Sequence, residues 1–119
     1  MGNKKILIVE DDAFFCELLK TPLIAAGYEI QTASDGLSGI AIALTWNPDL
    51  VFMDLDMPFM GGISSIKKLR RSNFSGKIAV LTGYPGGGNA VKSHKAGADH
   101  ILIKPFQESP EILVKNILG

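Results

Sequence analysis

Cysteine is almost missing from this chain: Cys16 is the only one in 119 residues, so no internal disulfide can form. That scarcity suits a reducing compartment. No apolar run approaches the roughly twenty residues that a bilayer demands. The start offers only Ile6–Val9 as an apolar stretch before Glu10, Asp11 and Asp12, too little for a signal peptide. A myristoylation motif beginning at Gly2 wants Ser or Thr where Ile6 stands. Charge of either sign is not in excess, since 12 basic side chains balance 12 acidic ones. The broad basic footprint of a nucleic-acid binder is therefore absent, and any DNA-binding role falls to another domain or partner. His94 and His100 have neither cysteine nor a further histidine at ligand spacing, which argues against zinc. These absences place the chain in the cytoplasm, in direct contact with neither membrane nor nucleic acid.

What is present reads as one ordinary globular domain over residues 1–119, with 46% apolar and 20% charged residues. Short β-branched segments (Ile6–Val9, Glu29–Thr32, Leu50–Met53, Lys77–Leu81 and His100–Ile103) alternate with longer ones at helical spacing, about 12–26, 35–46, 63–71, 89–96 and 109–118. Five strands alternating with five helices predict βα units and a parallel sheet. The first, third and fourth strands are continuously apolar, as strands covered on both faces are, whereas the second is more polar and is placed at an edge. Gly27 and Gly97 follow helices one and four, where a left-handed residue is wanted. Ser34 or Asp35 can cap helix two, and Ser109–Pro110 suits the start of helix five. Helix one has an apolar stripe of Phe15, Leu19, Leu23 and Ala26, interrupted by Pro22, where a kink is expected. Trp46 closes helix two as a packing residue, and Cys16 is an inert helix residue.

In open parallel sheets, ligands sit at the carboxyl ends of the strands. Strand one ends in Glu10, Asp11 and Asp12, strand three in Asp54-Leu55-Asp56, strand four in Thr82 and strand five in Lys104. Any one of these alone reads as a wet loop residue. Together they put carboxylates, a hydroxyl and an ammonium at one edge. Crowded carboxylates repel one another unless a cation intervenes. A hard ion such as Mg²⁺ (or Mn²⁺) takes one or two carboxylates and keeps waters that a phosphate can replace. Lys104 supplies a point charge for a phosphoryl oxygen, Thr82 a donor and Asp54 a carboxylate nucleophile. That set answers what phosphoryl transfer asks for, which is positioning and charge neutralisation.

The segments Ile6-Leu-Ile-Val-Glu-Asp-Asp12, Met53-Asp-Leu-Asp-Met-Pro58, Leu81-Thr-Gly83, Ala96-Gly-Ala-Asp99 and Lys104-Pro-Phe106 stand in an order and spacing that resemble the receiver domain of bacterial two-component response regulators, over essentially the whole chain. The resemblance implies a flavodoxin-like α/β fold, (βα)5, with a five-stranded parallel sheet of order 2-1-3-4-5 and helices on both faces. It implies Asp54 as phosphoacceptor, Asp11 as direct metal ligand, Glu10 as a ligand through water and the Asp56 carbonyl as a further ligand. Lys104 would contact the phosphoryl group, Thr82 would turn towards it, and the Lys104–Pro105 bond would be cis. It implies a phosphohistidine donor on a sensor histidine kinase or histidine phosphotransfer protein, with an output domain or partner protein downstream. The domain would promote only its own phosphorylation and dephosphorylation, and so would not be an enzyme.

Three departures from the family pattern bear on signalling. Ile101, with Leu102 beside it, occupies the place of the usual aromatic switch residue that partners Thr82. Gly61–Gly62 replaces an acidic-Gly pair ahead of helix three, and glycines 86–88 soften the start of helix four. A weaker or differently built change on that face is expected. Asp56 can act on attacking water or simply face solvent, and Phe14 can contribute to kinase docking or sit as a rim aromatic. Two other functions share some of these residues. Asp54-Leu-Asp56 has the Asp-x-Asp form of haloacid-dehalogenase-type phosphatases, though these carry it after strand one. A nucleotide-binding α/β module would need a glycine-rich turn where Glu10, Asp11 and Asp12 stand.

Overall fold

The computed structural model describes residues 3–57 and 60–119. Five strands and five helices alternate: β1 Lys5–Val9, α1 Ala13–Ala25, β2 Glu29–Ala33, α2 Gly36–Trp46, β3 Leu50–Asp54, α3 Gly62–Arg71, β4 Lys77–Thr82, α4 Asn89–Ala96, β5 His100–Ile103 and α5 Pro110–Leu118. All neighbouring strands pair in parallel, in the order β2-β1-β3-β4-β5. The doubly wound sheet expected from the alternation is present, with β2 at one edge.

Side-chain alternation along the strands divides the core in two. Leu7, Val9, Val51, Met53, Ile78 and Val80 face α2, α3 and α4, packing on Ile40, Ala43, Ile66 and Leu69. Ile6, Ile8, Leu50, Phe52, Ala79 and Leu81 face the opposite layer, where Cys16, Leu19, Leu23 and Val114 of α1 and α5 close over them. β3 is buried from end to end, which explains its unbroken apolar run.

The helix boundaries follow local chemistry. Asp12 caps α1 by accepting from the Phe14 and Phe15 amides, and Asp35, rather than Ser34, caps α2 through the Ser38 amide. Gly97 ends α4 at φ 120°, and a Cβ there would lie 2.5 Å from Cγ of Arg70. One expectation for α1 needs correcting. The buried stripe is Cys16, Leu19 and Leu23, while Ala26 is exposed beyond the helix end and Phe15 is half-buried. Leu19 and Leu23 keep their expected place; Cys16 joins them, and Phe15 packs against the same cluster from the rim. Pro22 lies inside α1, which continues to Ala25. Trp46 ends α2, with Lys5 Nζ 5.6 Å from the centre of its ring. The Lys104–Pro105 peptide is cis. Pro58, the last residue of the strand-three motif, lies outside the described residues.

Candidate functional site

β1 and β5 deliver Glu10 and Lys104 one step past their last paired residues, whereas Asp54 and Thr82 are themselves the last paired residues of β3 and β4. Val9 pairs with Met53 and Asp54 with Leu81, so Glu10 and Asp54 arrive at adjacent strand ends. The ladder then runs slightly further: Glu10 N–H donates to Ala33 O at 3.0 Å, Leu55 N–H to Leu81 O at 3.0 Å and Lys104 N–H to Thr82 O at 2.8 Å. The backbone is thereby fixed up to the reactive positions. Gly62 closes the floor, since a Cβ on it would come within 2.5 Å of the Asp54 carbonyl oxygen. Only glycine permits α3 to approach β3 that closely.

Glu10, Asp11 and Asp54 converge, with one carboxylate oxygen from each within 4.8 Å of the other two. Glu10 and Asp54 are buried and Asp11 is exposed. Lys104 reaches in from β5: its Nζ stands 2.5 Å from Glu10 Oε1 and 3.6 Å from Asp54 Oδ1. Three carboxylates facing one ammonium leave surplus negative charge. Burial first, and the Asp54 carboxylate after it, push Glu10 up to about 7, against the pull of Lys104 and the Asp12 amide. Burial disfavours the Lys104 ammonium, but Glu10 and Asp54 outweigh that and hold it above the ordinary lysine range.

The remaining expected residues are less uniformly placed. Thr82 is fully buried, but its hydroxyl donates to Tyr84 O and accepts from the Tyr84 amide, both at 3.0 Å, so it is bound to its own loop. Asp56 is exposed and its side chain is not among the three that converge; its amide donates to Asp54 Oδ1 at 3.0 Å. Asp12 likewise serves as a cap, outside the cluster. Ile101 is half-buried on β5 and packs against the core layer of α2, α3 and α4. Phe14 is 74% exposed, too open for the rim packing considered for it.

One residue of the site was assigned to the core by its spacing. The ring of Phe15 lies beneath Lys104, with Nζ 4.4 Å from its centre, and meets the ring of Phe106 edge-on at 5.5 Å. The signal available in the sequence was its position, one turn after Asp11 at the start of α1. Helical spacing alone could not say that Phe15 would sit at the rim of that core, with its ring under Lys104.

Comparison with known proteins agrees with this arrangement. The family model described as response regulator receiver domain matches residues 6–117. The chain is 36% identical over 108 residues to the chemotaxis protein CheY of Thermotoga maritima, covering 90% of each chain. It is 38% identical over 104 residues to the alkaline phosphatase synthesis transcriptional regulatory protein PhoP of Bacillus subtilis, covering 87% of this chain and 43% of that protein. It thus spans less than half the length of that regulator. Among solved structures, Vibrio cholerae CheY4 superposes with a TM-score of 0.88 at 30% identity, over 98% of this chain and 97% of that one. The receiver domain of the Pseudomonas aeruginosa sensor histidine kinase PA1611, with a magnesium ion coordinated in its active-site cleft, gives 0.86 at 25% identity, over 98% and 95%. Phosphatase and nucleotide-binding readings of the same residues give way to this match, and the chain belongs to the response-regulator receiver family of two-component signalling.

Proposed function

We propose that Asp54 is the residue that takes the phosphoryl group, with a Mg²⁺ ion, or Mn²⁺, held by Glu10, Asp11 and Asp54. The single observation that carries this is the pairing of a buried Asp54 carboxylate with Lys104 Nζ 3.6 Å away, inside a group of three acids that one ammonium cannot neutralise. The donor set is all oxygen, which suits a hard divalent ion. Bound there, the ion would neutralise charge on the phosphoryl oxygens. The Asp56 carbonyl is a further candidate ligand. A carboxylate oxygen of Asp54 forms the new bond to phosphorus as the bond to the donor nitrogen or oxygen breaks, giving an acyl phosphate. Lys104 then pairs with a phosphoryl oxygen. Thr82 reaches that oxygen by releasing Tyr84, and Ile101 follows by packing alone because it has no polar group.

The natural donor in this reading is a phosphohistidine on a sensor kinase or phosphotransfer protein. The setting is cytoplasmic, and output passes to another domain or protein. No helix among the described residues is long and apolar enough to cross a membrane. The family is a signalling module, and we read this member as promoting only its own phosphorylation and its reversal.

Intact mass after incubation with acetyl phosphate and Mg²⁺ tests the assignment. Wild type should gain one labile phosphoryl group and Asp54→Ala none. Equal gain by both would remove Asp54 from the role.

Cation binding should also be visible in stability. An ion at about 100 times its dissociation constant stabilises the fold by roughly 2.7 kcal/mol, a shift of several degrees in melting temperature. The pH dependence follows from Glu10. Its carboxyl holds a proton more tightly folded than unfolded, so in the metal-free protein this group favours the fold below about 4.5, and that contribution is lost as pH rises through about 7. The same proton competes with the ion. The melting gain at fixed Mg²⁺ should therefore be larger at pH 8 than at pH 6. A gain that is equal at both, or that persists in Asp54→Ala, would place the ion elsewhere.

A further inference from the structure

We propose that Phe15 is a positioning residue for phosphoryl transfer: the face of its ring holds the Lys104 ammonium in line with Asp54. The inference rests on the reading of Asp54 and Lys104 given above and concerns what aims the lysine.

Lys104 is fixed only as far as its backbone, where its amide closes the last bond to Thr82 O at 2.8 Å. From there a four-carbon stem with free rotors must deliver the ammonium to one place. Three neighbours hold it: Glu10 Oε1 at 2.5 Å, Asp54 Oδ1 at 3.6 Å and the centre of the Phe15 ring at 4.4 Å. The ring distance is well inside the roughly 6 Å over which a ring quadrupole attracts a cation. The two carboxylates change their charge environment during the reaction, because Asp54 becomes an acyl phosphate and Glu10 belongs to the cation cluster. The ring does not change. It is the one attraction that stays constant while the ammonium passes from carboxylate to phosphoryl oxygen.

The ring is itself held at both ends. Phe15 sits in the first turn of α1, where its amide donates to the capping Asp12 carboxylate at 3.2 Å. On its other side the Phe106 ring meets it at 62° and 5.5 Å, and Phe106 stands two residues beyond Lys104. The ring is thus clamped between the helix that follows the acidic strand end and the loop that carries the lysine. An aliphatic residue would fill the same space without the quadrupole, and that difference separates aiming from packing.

The test uses the full chain with 4-fluoro-, 3,5-difluoro- and 3,4,5-trifluorophenylalanine placed at position 15, together with Phe15→Leu and Phe15→Trp. Fluorine drains the ring face of negative potential with little change in size. Initial rates of phosphoryl gain from acetyl phosphate with Mg²⁺ are compared at equal fold stability, checked by melting temperature. The expected result is a stepwise fall with fluorine number, about three- to tenfold by the trifluoro ring. Leucine should be at least as slow, and tryptophan near wild type. In metal-free protein the Lys104 ε-methylene protons should lie upfield of those of the other lysines and return to the ordinary position in Phe15→Leu. A flat rate across the fluorine series, or an unshifted Lys104 methylene in wild type, overturns the proposal. A wild-type protein that gains no phosphoryl group overturns the underlying reading of Asp54 instead, and is told apart because wild type itself is then silent.

Discussion

Lys104→Ala is expected to slow phosphoryl gain at Asp54 by about 10²- to 10³-fold, the usual loss when one preorganised charge-stabilising donor is removed from a transfer site. Among the described residues, Lys104 is the one cation within salt-bridge distance of either Glu10 or Asp54. Both acids are almost fully buried, so the substitution leaves them facing each other without compensation. The consequence for the divalent ion runs the other way. With the ammonium gone, the cluster is more negative, and affinity for the ion should hold or rise while the rate collapses. A general loss of structure would lower both, so the opposed signs distinguish the two. Lys104→Arg should recover only part of the rate, because a planar fork cannot replace a compact point charge between Glu10, Asp54 and the Phe15 ring. Isothermal titration with Mg²⁺ and single-turnover rates with acetyl phosphate measure the two quantities. A rate within threefold of wild type, or Mg²⁺ affinity that falls with it, would deny Lys104 its role.

The alternation of strands and helices, the edge place of the second strand and the residues at the strands' carboxyl ends were legible in the sequence, because they follow from period and position; the full strand order came from the family resemblance. A run such as Leu50–Met53 ahead of Asp54 declares a strand covered on both faces and hence a fixed place for the acid that follows it. What the sequence hid depends on rotation and on rotamers. Phe15 and Cys16 both flank Leu19 and Leu23 on the core side of α1, and which of the two is fully covered depends on the neighbouring β5–α5 segment, beyond what a stripe of mixed apolar residues resolves. Thr82 was assigned to the phosphoryl group by where it stands, but a hydroxyl at a strand end can also bond its own loop, and here it bonds Tyr84. The family resemblance gave Asp56 a carbonyl contact to the cation; its side chain is exposed, and its amide donates to Asp54 Oδ1. Spacing fixes where a backbone arrives, and local hydrogen bonding decides what its side chain does there.

The same limit concealed a structural clasp at the opposite end of the sheet. Arg70, near the end of α3, gives Nε to Gly97 O at 3.0 Å, Nη1 to Phe74 O at 2.8 Å and to Gly76 O at 2.9 Å, and Nη2 to Asp99 Oδ2 at 3.0 Å. Asp99 in turn accepts from the Ile78 amide at 2.9 Å, so one guanidinium ties the α3–β4 turn to the α4–β5 turn and to the start of β4. In the sequence it reads as one more basic residue in the last turn of a helix. Arg70→Ala removes the donors of three backbone carbonyls and the partner of a carboxylate, at a cost of about 2–4 kcal/mol, since bonds to charged groups are the stronger kind and orphaned acceptors add to the loss. The urea midpoint should fall by about 1–2 M with the slope unchanged. Arg70→Lys should recover little, because a single ammonium cannot serve carbonyls lying in three directions. Phosphoryl gain at Asp54 should be unaffected at temperatures where the variant stays folded, because the clasp joins the strand ends opposite the acids. An Arg70→Ala midpoint equal to wild type would show that water replaces the guanidinium without loss. A changed phosphoryl rate in folded protein would show instead that the two ends of the sheet are mechanically coupled.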